Sequence, residues 1–274
     1  MKSFIEFINE SDYDPIQALI ELVESGDIEL AIEMAKGQDL LDQLKVALMN
    51  KYDRIFKLTR MFTVRLSHIR EPDFFKAFNE LQSLEWLDLE NDKLKELPKE
   101  IGQLQNLNNL NLCNNKIVEL PKELGQLQNL ESLDLRGNQL DEFPKEIGQL
   151  QKLEVLDLSN NQLEELPKEI GQLQNLEALF LAGNDNLRKF PKELCQLKNL
   201  KILSLYNNSL EEVSSEIGQL TNLTYLNLGN NNLKELPKEI GQLQDLYELE
   251  LSGNKLGDIS WLKDMLPKCD IKDY

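Results

Sequence analysis

Residues 130–140 read LESLDLRGNQL, and the same phrase, L-x-x-L-x-L-x-x-N-x-L, returns along the chain every 23 or 24 residues. Copies begin at Leu107, Leu130, Leu153, Leu176, Leu200, Leu223 and Leu246, and an eighth fits at Leu84 if Asp92 stands in for the asparagine. Leu130, Leu133 and Leu135 supply the inward side chains of a short strand, and Asn138 and Leu140 follow through a turn. One such strand cannot bury its own leucines. Stacked copies can: parallel strands about 4.8 Å apart pair each backbone with the copies before and after it, and the leucines merge into one core. A buried amide both donates and accepts, so Asn115, Asn138, Asn161, Asn184, Asn208, Asn231 and Asn254 are expected to satisfy backbone groups of neighbouring turns as a structural ladder.

The return half of each copy reads LPKEIGQLQN, as in residues 97–106, with Pro98, Pro121, Pro144, Pro167, Pro191 and Pro237 in register. Proline there forbids further strand pairing. Apolar residues three apart, such as Ile147 and Leu150, predict one short helical turn on the opposite side, closed by the glycine as a stop, with the Lys-Glu pairs as its solvated face.

This phrase resembles the 23-residue leucine-rich repeats abundant in spirochaete and other bacterial proteins and, more loosely, the L-P-x-x-I class of Ras-pathway scaffolds. The resemblance covers residues 84–266. It implies an α/β fold: a right-handed leucine-rich repeat solenoid with a concave parallel β-sheet, short convex helical turns and an N-terminal α-helical cap, used in that family for protein recognition. Such a motif is specific for fold and weakly specific for function.

The expected organisation is a helical cap over 1–60, a degenerate first repeat over 61–83, eight repeats over 84–256 and a C-terminal cap over 257–274. In the first region Ser3 and Glu6 form a capping box, Asp14-Pro15 opens a helix with Ile16, Leu19, Ile20 and Val23 on one face, and Gly26 and Gly37 punctuate two further segments. In the degenerate copy Met61, Val64 and Leu66 occupy strand slots, predicting a sheet that begins near residue 62. At the far end Ile259 to Leu266 reads as a longer amphipathic helix with Trp261, Leu262 and Met265, followed by a short terminal segment.

Composition narrows the function classes. Thirty basic against 48 acidic residues leave a net charge of −18, which argues against nucleic acid and anionic membrane and favours a basic or amphipathic protein partner. The opening residues carry early acids and no long apolar run, and Cys113, Cys195 and Cys269 are scattered, so neither a signal peptide nor a disulfide framework is expected. A cytoplasmic bacterial monomer is the expectation. His68 is the one histidine, no phosphate-binding loop occurs, and the carboxylates are spread by the repeat, so no catalytic residue, no metal and no cofactor is expected.

What remains is the outward face of the strands. The residue before the second leucine runs Trp86, Asn109, Ser132, Val155, Ala178, Ile202, Tyr225, Glu248, and the residue after it Asp88, Asn111, Asp134, Asp157, Phe180, Ser204, Asn227, Glu250. Two zones emerge. Asp134, Asp157, Glu131, Glu154 and Glu177 make an acidic patch over the middle copies, and Phe180, Ile202, Tyr206 and Tyr225 an aromatic and apolar patch over the copies that begin at Leu176, Leu200 and Leu223. Aromatic anchors beside carboxylates point to protein binding through Trp86, Asp134, Val155, Asp157, Phe180, Ile202, Tyr206 and Tyr225. The repeat also loses regularity here: Asp185-Asn186 is inserted before Leu187, and Val213-Ser214-Ser215-Glu216 replaces L-P-K-E. The leading reading is a non-enzymatic recognition module that binds a protein on its concave face. The other readings are a structural or self-assembling repeat protein without a specific ligand, and an exported effector that binds a host protein.

Overall fold

The computed structural model describes residues 15–24, positions 31, 32, 35, 40, 43, 44, 47 and 48, and residues 82–273. The chain divides into two units, Met1–Leu84 and Glu85–Tyr274. In the first, α1 (Pro15–Glu24) opens on a proline, whose fixed φ suits a first helical turn and whose missing N–H costs nothing there. It buries Ala18, Leu19, Ile20 and Val23, while Ile16 is half-buried. Ala31, Ala35, Leu44 and Leu48 are also helical and fully enclosed. The capping box at Ser3 and Glu6, the stops at Gly26 and Gly37, His68, and the strand slots Met61, Val64 and Leu66 lie outside the described residues.

The second unit is one parallel sheet of nine strands in chain order. They are β1 (Trp86–Asp88), β2 (Asn109–Asn111), β3 (Ser132–Asp134), β4 (Val155–Asp157), β5 (Ala178–Phe180), β6 (Ile202–Ser204), β7 (Tyr225–Asn227), β8 (Glu248–Glu250) and β9 (Asp270–Lys272). Leucine pairs with leucine from β1 to β8: Leu87, Leu110, Leu133, Leu156, Leu179, Leu203, Leu226 and Leu249 lie in one register and are buried. This is the leucine-rich repeat solenoid that the period implies.

The C-terminal segment carries no leucine phrase and yet supplies β9, where Ile271 takes the leucine place beside Leu249. The helix before it is only α2 (Trp261–Met265), shorter than the sequence reading; Leu262 and Leu266 are buried, but Met265 is 39% exposed.

The asparagine ladder is a set of three-way bridges. Asn161 Nδ2 donates to the Leu135 and Leu158 carbonyls at 3.1 and 3.0 Å, and its Oδ1 accepts from Leu140 N–H at 3.1 Å. Asn115, Asn138, Asn184, Asn231 and Asn254 repeat the arrangement with their own neighbours. Asn208 is the exception: its Oδ1 accepts from Asn184 N–H at 2.9 Å, because the inserted residue moves Leu187 one place on and its N–H turns to the Asn184 carbonyl.

On the convex side each K-E-I-G-Q stretch forms one 3₁₀ turn, as in Lys145–Gln149, entered from a proline at φ −67°. The glycine does not stop it, which corrects the sequence reading. Gly148 lies inside the turn and allows the next copy to approach: a β-carbon there would stand 2.6 Å from Gln172 Oε1 and 2.9 Å from the Glu169 carbonyl oxygen. Gly102, Gly125, Gly171 and Gly218 meet the same limit. Where proline is lost, Ser214 compensates by accepting from Glu216 N–H at 3.2 Å.

Candidate functional site

The concave face has a structural rule of its own. The residue after the second leucine caps the end of its strand: Oδ1 of Asp88, Asn111, Asp134, Asp157 and Asn227 each accepts the backbone N–H two residues on, at 2.8 to 3.1 Å. Such turns need a short side chain with a carbonyl or carboxylate oxygen. The acidic character of this row is therefore partly backbone chemistry. Phe180 and Ser204 abandon the rule in consecutive copies, and Glu250, which pairs with Lys272, departs from it in the last.

Where they do so, a hollow of about 560 Å³ opens, lined by Phe180, Ile202, Ser204, Thr224, Tyr225 and Tyr247. It runs obliquely over the sheet. Phe180 lies after the second leucine of its copy, Ile202 and Tyr225 before theirs, and Thr224 and Tyr247 directly after the first leucine of theirs. Ser204 lines it and is buried, so its small side chain makes part of the floor. Tyr247 is 72% exposed, and it and Thr224 are lining residues absent from the sequence-based candidates. Its slot is the one that carries Glu131, Glu154 and Glu177 in earlier copies, and the same row runs on through Lys201 and Thr224 to Tyr247, which is the signal in the sequence that points to it.

The eight residues read as binding candidates are not one patch. Phe180, Ile202 and Tyr225 line the hollow and are half-buried there rather than fully exposed. Tyr206, 42% exposed, stands outside the lining: its ring lies over Gly229, where a β-carbon would be 3.3 Å from Cδ2, and its hydroxyl accepts from Asn230 Nδ2 at 2.8 Å. Asp157 is on β4, paired in register with Phe180, and Asp134 is one strand further. Val155, 36% exposed, is also on β4; Trp86, 68% exposed, is on β1, four strands from Phe180.

The acidic patch is partly neutralised. Arg136 Nη2 lies 2.9 Å from Asp134 Oδ2 and its Nε 4.0 Å from Asp157 Oδ2. Burial nonetheless pushes the Asp134 carboxyl above its ordinary value, with the hydrogen bond from Arg136 N–H and the guanidinium charge opposing. Lys201 holds Glu177 at 2.7 Å. At the other end Lys272 bridges Glu248 at 2.7 Å and Glu250 at 2.8 Å, and the two carboxylates hold its ammonium above the usual range. A second hollow, of about 640 Å³, lies among Asp141, Glu142, Glu164, Glu165, Arg188 and Lys189, with the neutral Asn186 beside them.

None of the thiols is poised as a nucleophile. Burial pushes Cys195 up to about 12 and Cys269 to about 11, and it raises Cys113 against the opposing pull of Arg136. Among the described residues no three His, Cys, Asp or Glu side chains are placed to hold a metal ion, and no helix is long and apolar enough to cross a membrane.

Fold and face together define a repeat protein whose core is leucine and whose variable surface is one side of a parallel sheet. A family model described as a leucine-rich repeat region matches residues 122–223, and a second, described as leucine rich repeat, matches 82–140 and 198–256. The chain belongs to the leucine-rich repeat family. A comparison with curated proteins gives no match. Among solved structures it is similar to a leucine-rich repeat protein of Leptospira interrogans, at 49% identity over 72% of this chain and 50% of that one, TM-score 0.68. It is also similar to the plant peptide hormone receptor RGFR1 in complex with RGF2, at 34% identity over 70% of this chain and 32% of that one, TM-score 0.63. The ectodomain of the Arabidopsis thaliana receptor kinase GASSHO1/SCHENGEN3, in complex with Casparian strip integrity factor 2, shares 27% identity over 72% of this chain and 31% of that one, TM-score 0.54. The chain spans half the length of the Leptospira protein and about a third of each receptor.

Proposed function

We propose that this chain is a non-enzymatic recognition module that binds a protein partner on the concave face of its solenoid. One observation carries the reading. Phe180 and Ser204 replace the strand-capping Asp or Asn in consecutive copies, and an apolar hollow with exposed Tyr247 opens where they do so. Folding alone favours the cap, so an aromatic in its place is kept at some cost to local hydrogen bonding. Large, rigid aromatic side chains in a hollow are the usual anchors of an interface. Two similar solved structures are receptors in complex with RGF2 and with Casparian strip integrity factor 2, which supports binding as the use of such a repeat array. A bacterial, cytoplasmic, monomeric setting belongs to the same proposal; the dispersed free cysteines are in keeping with a reducing compartment.

The test is selection from a random-peptide display library with the full chain as bait. Binders should enrich on the natural chain and fail to enrich on a Phe180→Asn, Tyr247→Ser double variant that melts at a similar temperature. Equal enrichment on both chains would overturn the concave-face assignment.

A further inference from the structure

Charge is distributed unevenly about the hollow. On the side of the earlier copies the face presents Glu131, Asp134, Glu154, Asp157 and Glu177 against only Arg136 and Lys201. Arg136 is drawn to Asp134 and reaches Asp157 at 4.0 Å, and Lys201 is taken by Glu177. Among the described residues neither Glu131 nor Glu154 has an ion-pair partner. On the side of the later copies Lys272 already closes on both Glu248 and Glu250. The hollow therefore has a strongly anionic shelf on one side, five carboxylates against two cations, and on the other an edge whose two carboxylates already share one cation.

That asymmetry selects a ligand with a matching order. We propose, resting on the recognition reading above, that the occupant is an extended segment of a partner protein with an aromatic or branched aliphatic residue and a lysine or arginine about three residues away. The apolar side chain fills the hollow between Phe180, Ile202, Tyr225 and Tyr247, and the cation lies over β4 between Glu154 and Asp157. The spacing follows from the lattice of the sheet. The hollow is lined from β5 to the residue before β8, so its centre lies between β6 and β7, and β4 is two to three strands away, about 10–12 Å at the usual strand separation. An extended left-handed chain turns side chains three apart to the same side at about 9 Å, and the long stem of a lysine or arginine covers the remainder, so both reach the face together. Arg136 then acts as an internal competitor for Asp157, which the partner's cation displaces; complementary charge of this kind governs selectivity and association rate.

The selection described above tests this through the sequences it returns. Winning peptides should pair Phe, Tyr, Leu or Ile with Lys or Arg at about that spacing, and replacing the basic residue by glutamine should weaken a synthesised winner at least ~10-fold. Glu154→Lys should abolish the basic preference. Arg136→Gln, which leaves Asp157 uncontested, should tighten the same peptide severalfold, an effect that a purely structural role for these charges would not produce. Winners that need Phe180 and Tyr247 but carry no basic residue, or an unchanged preference on Glu154→Lys, overturn the shelf and leave the recognition reading standing. No enrichment, or enrichment indifferent to Phe180→Asn, overturns both.

Discussion

In the copies that begin at Leu107, Leu130 and Leu153, the position after the second leucine carries Asn111, Asp134 and Asp157, each capping its strand, and Gly125, Gly148 and Gly171 let successive convex turns close tightly. In the copies at Leu176 and Leu200 the same positions carry Phe180 and Ser204, the convex slot holds Cys195, the proline is lost at Ser214, and one extra residue lengthens the turn after Asn184. Backbone dihedrals register the change: Pro191 has ψ 97° where the other entering prolines have 138° to 145°. The leucines do not register it, since Leu156, Leu179 and Leu203 are equally enclosed. A repeat array can thus be reshaped in its outer layers while its core continues unbroken, because each copy bonds only to its neighbours.

The sharpest way to break this comparison is in the core. Leu156→Ala and Leu203→Ala should each cost about 2–5 kcal/mol in urea unfolding, and by similar amounts. A cost at Leu203 less than half that at Leu156 would show that the irregularity reaches the core. The ladder comes next. Asn161→Ala and Asn208→Ala should each destabilise by roughly 1–3 kcal/mol, since each leaves buried backbone groups unpaired.

The convex layer should separate the two regions. A methyl at Gly148 meets backbone oxygen of the next copy, so Gly148→Ala should cost about 1–2 kcal/mol in thermal unfolding, whereas Cys195→Ala should cost under about 1 kcal/mol. Equal costs would mean that the turn at Cys195 is packed like the others.

On the concave face Phe180→Asn restores the strand cap that Asn111 and Asn227 make. Stability should stay within about 1 kcal/mol of the natural chain or rise, while affinity for a selected peptide falls at least ~30-fold. Opposite movement of stability and binding would identify Phe180 as held for recognition. The smallest effect concerns the thiols. Raised from 9.0 to about 12, Cys195 holds its proton far above neutral pH, and Cys269, at about 11, does so less strongly. Thiolate is the reactive form, so in native protein near pH 8 iodoacetamide should label Cys269 slowly and Cys195 more slowly still. Fast labelling at Cys195 would show that its turn opens.

The phrase LESLDLRGNQL and its period were enough to determine the parallel sheet, the leucine core, the proline-led return and the rows of outward residues. Each of these follows from side-chain alternation and from the need of one copy to be covered by the next. Phe180, Ile202 and Tyr225 were legible for the same reason. Alternation says which face a residue occupies but not which outward residues meet, and that depends on lateral offset across several strands and on rotamers. Only the tertiary structure could lean Tyr206 over Gly229, bring Tyr247 diagonally to Phe180, and set Arg136 between Asp134 and Asp157. The glycines of the convex turns were misread because their constraint is a distance to the next copy, invisible within one. β9 went unread because a strand of three residues needs little pattern of its own once β8 offers a complete edge.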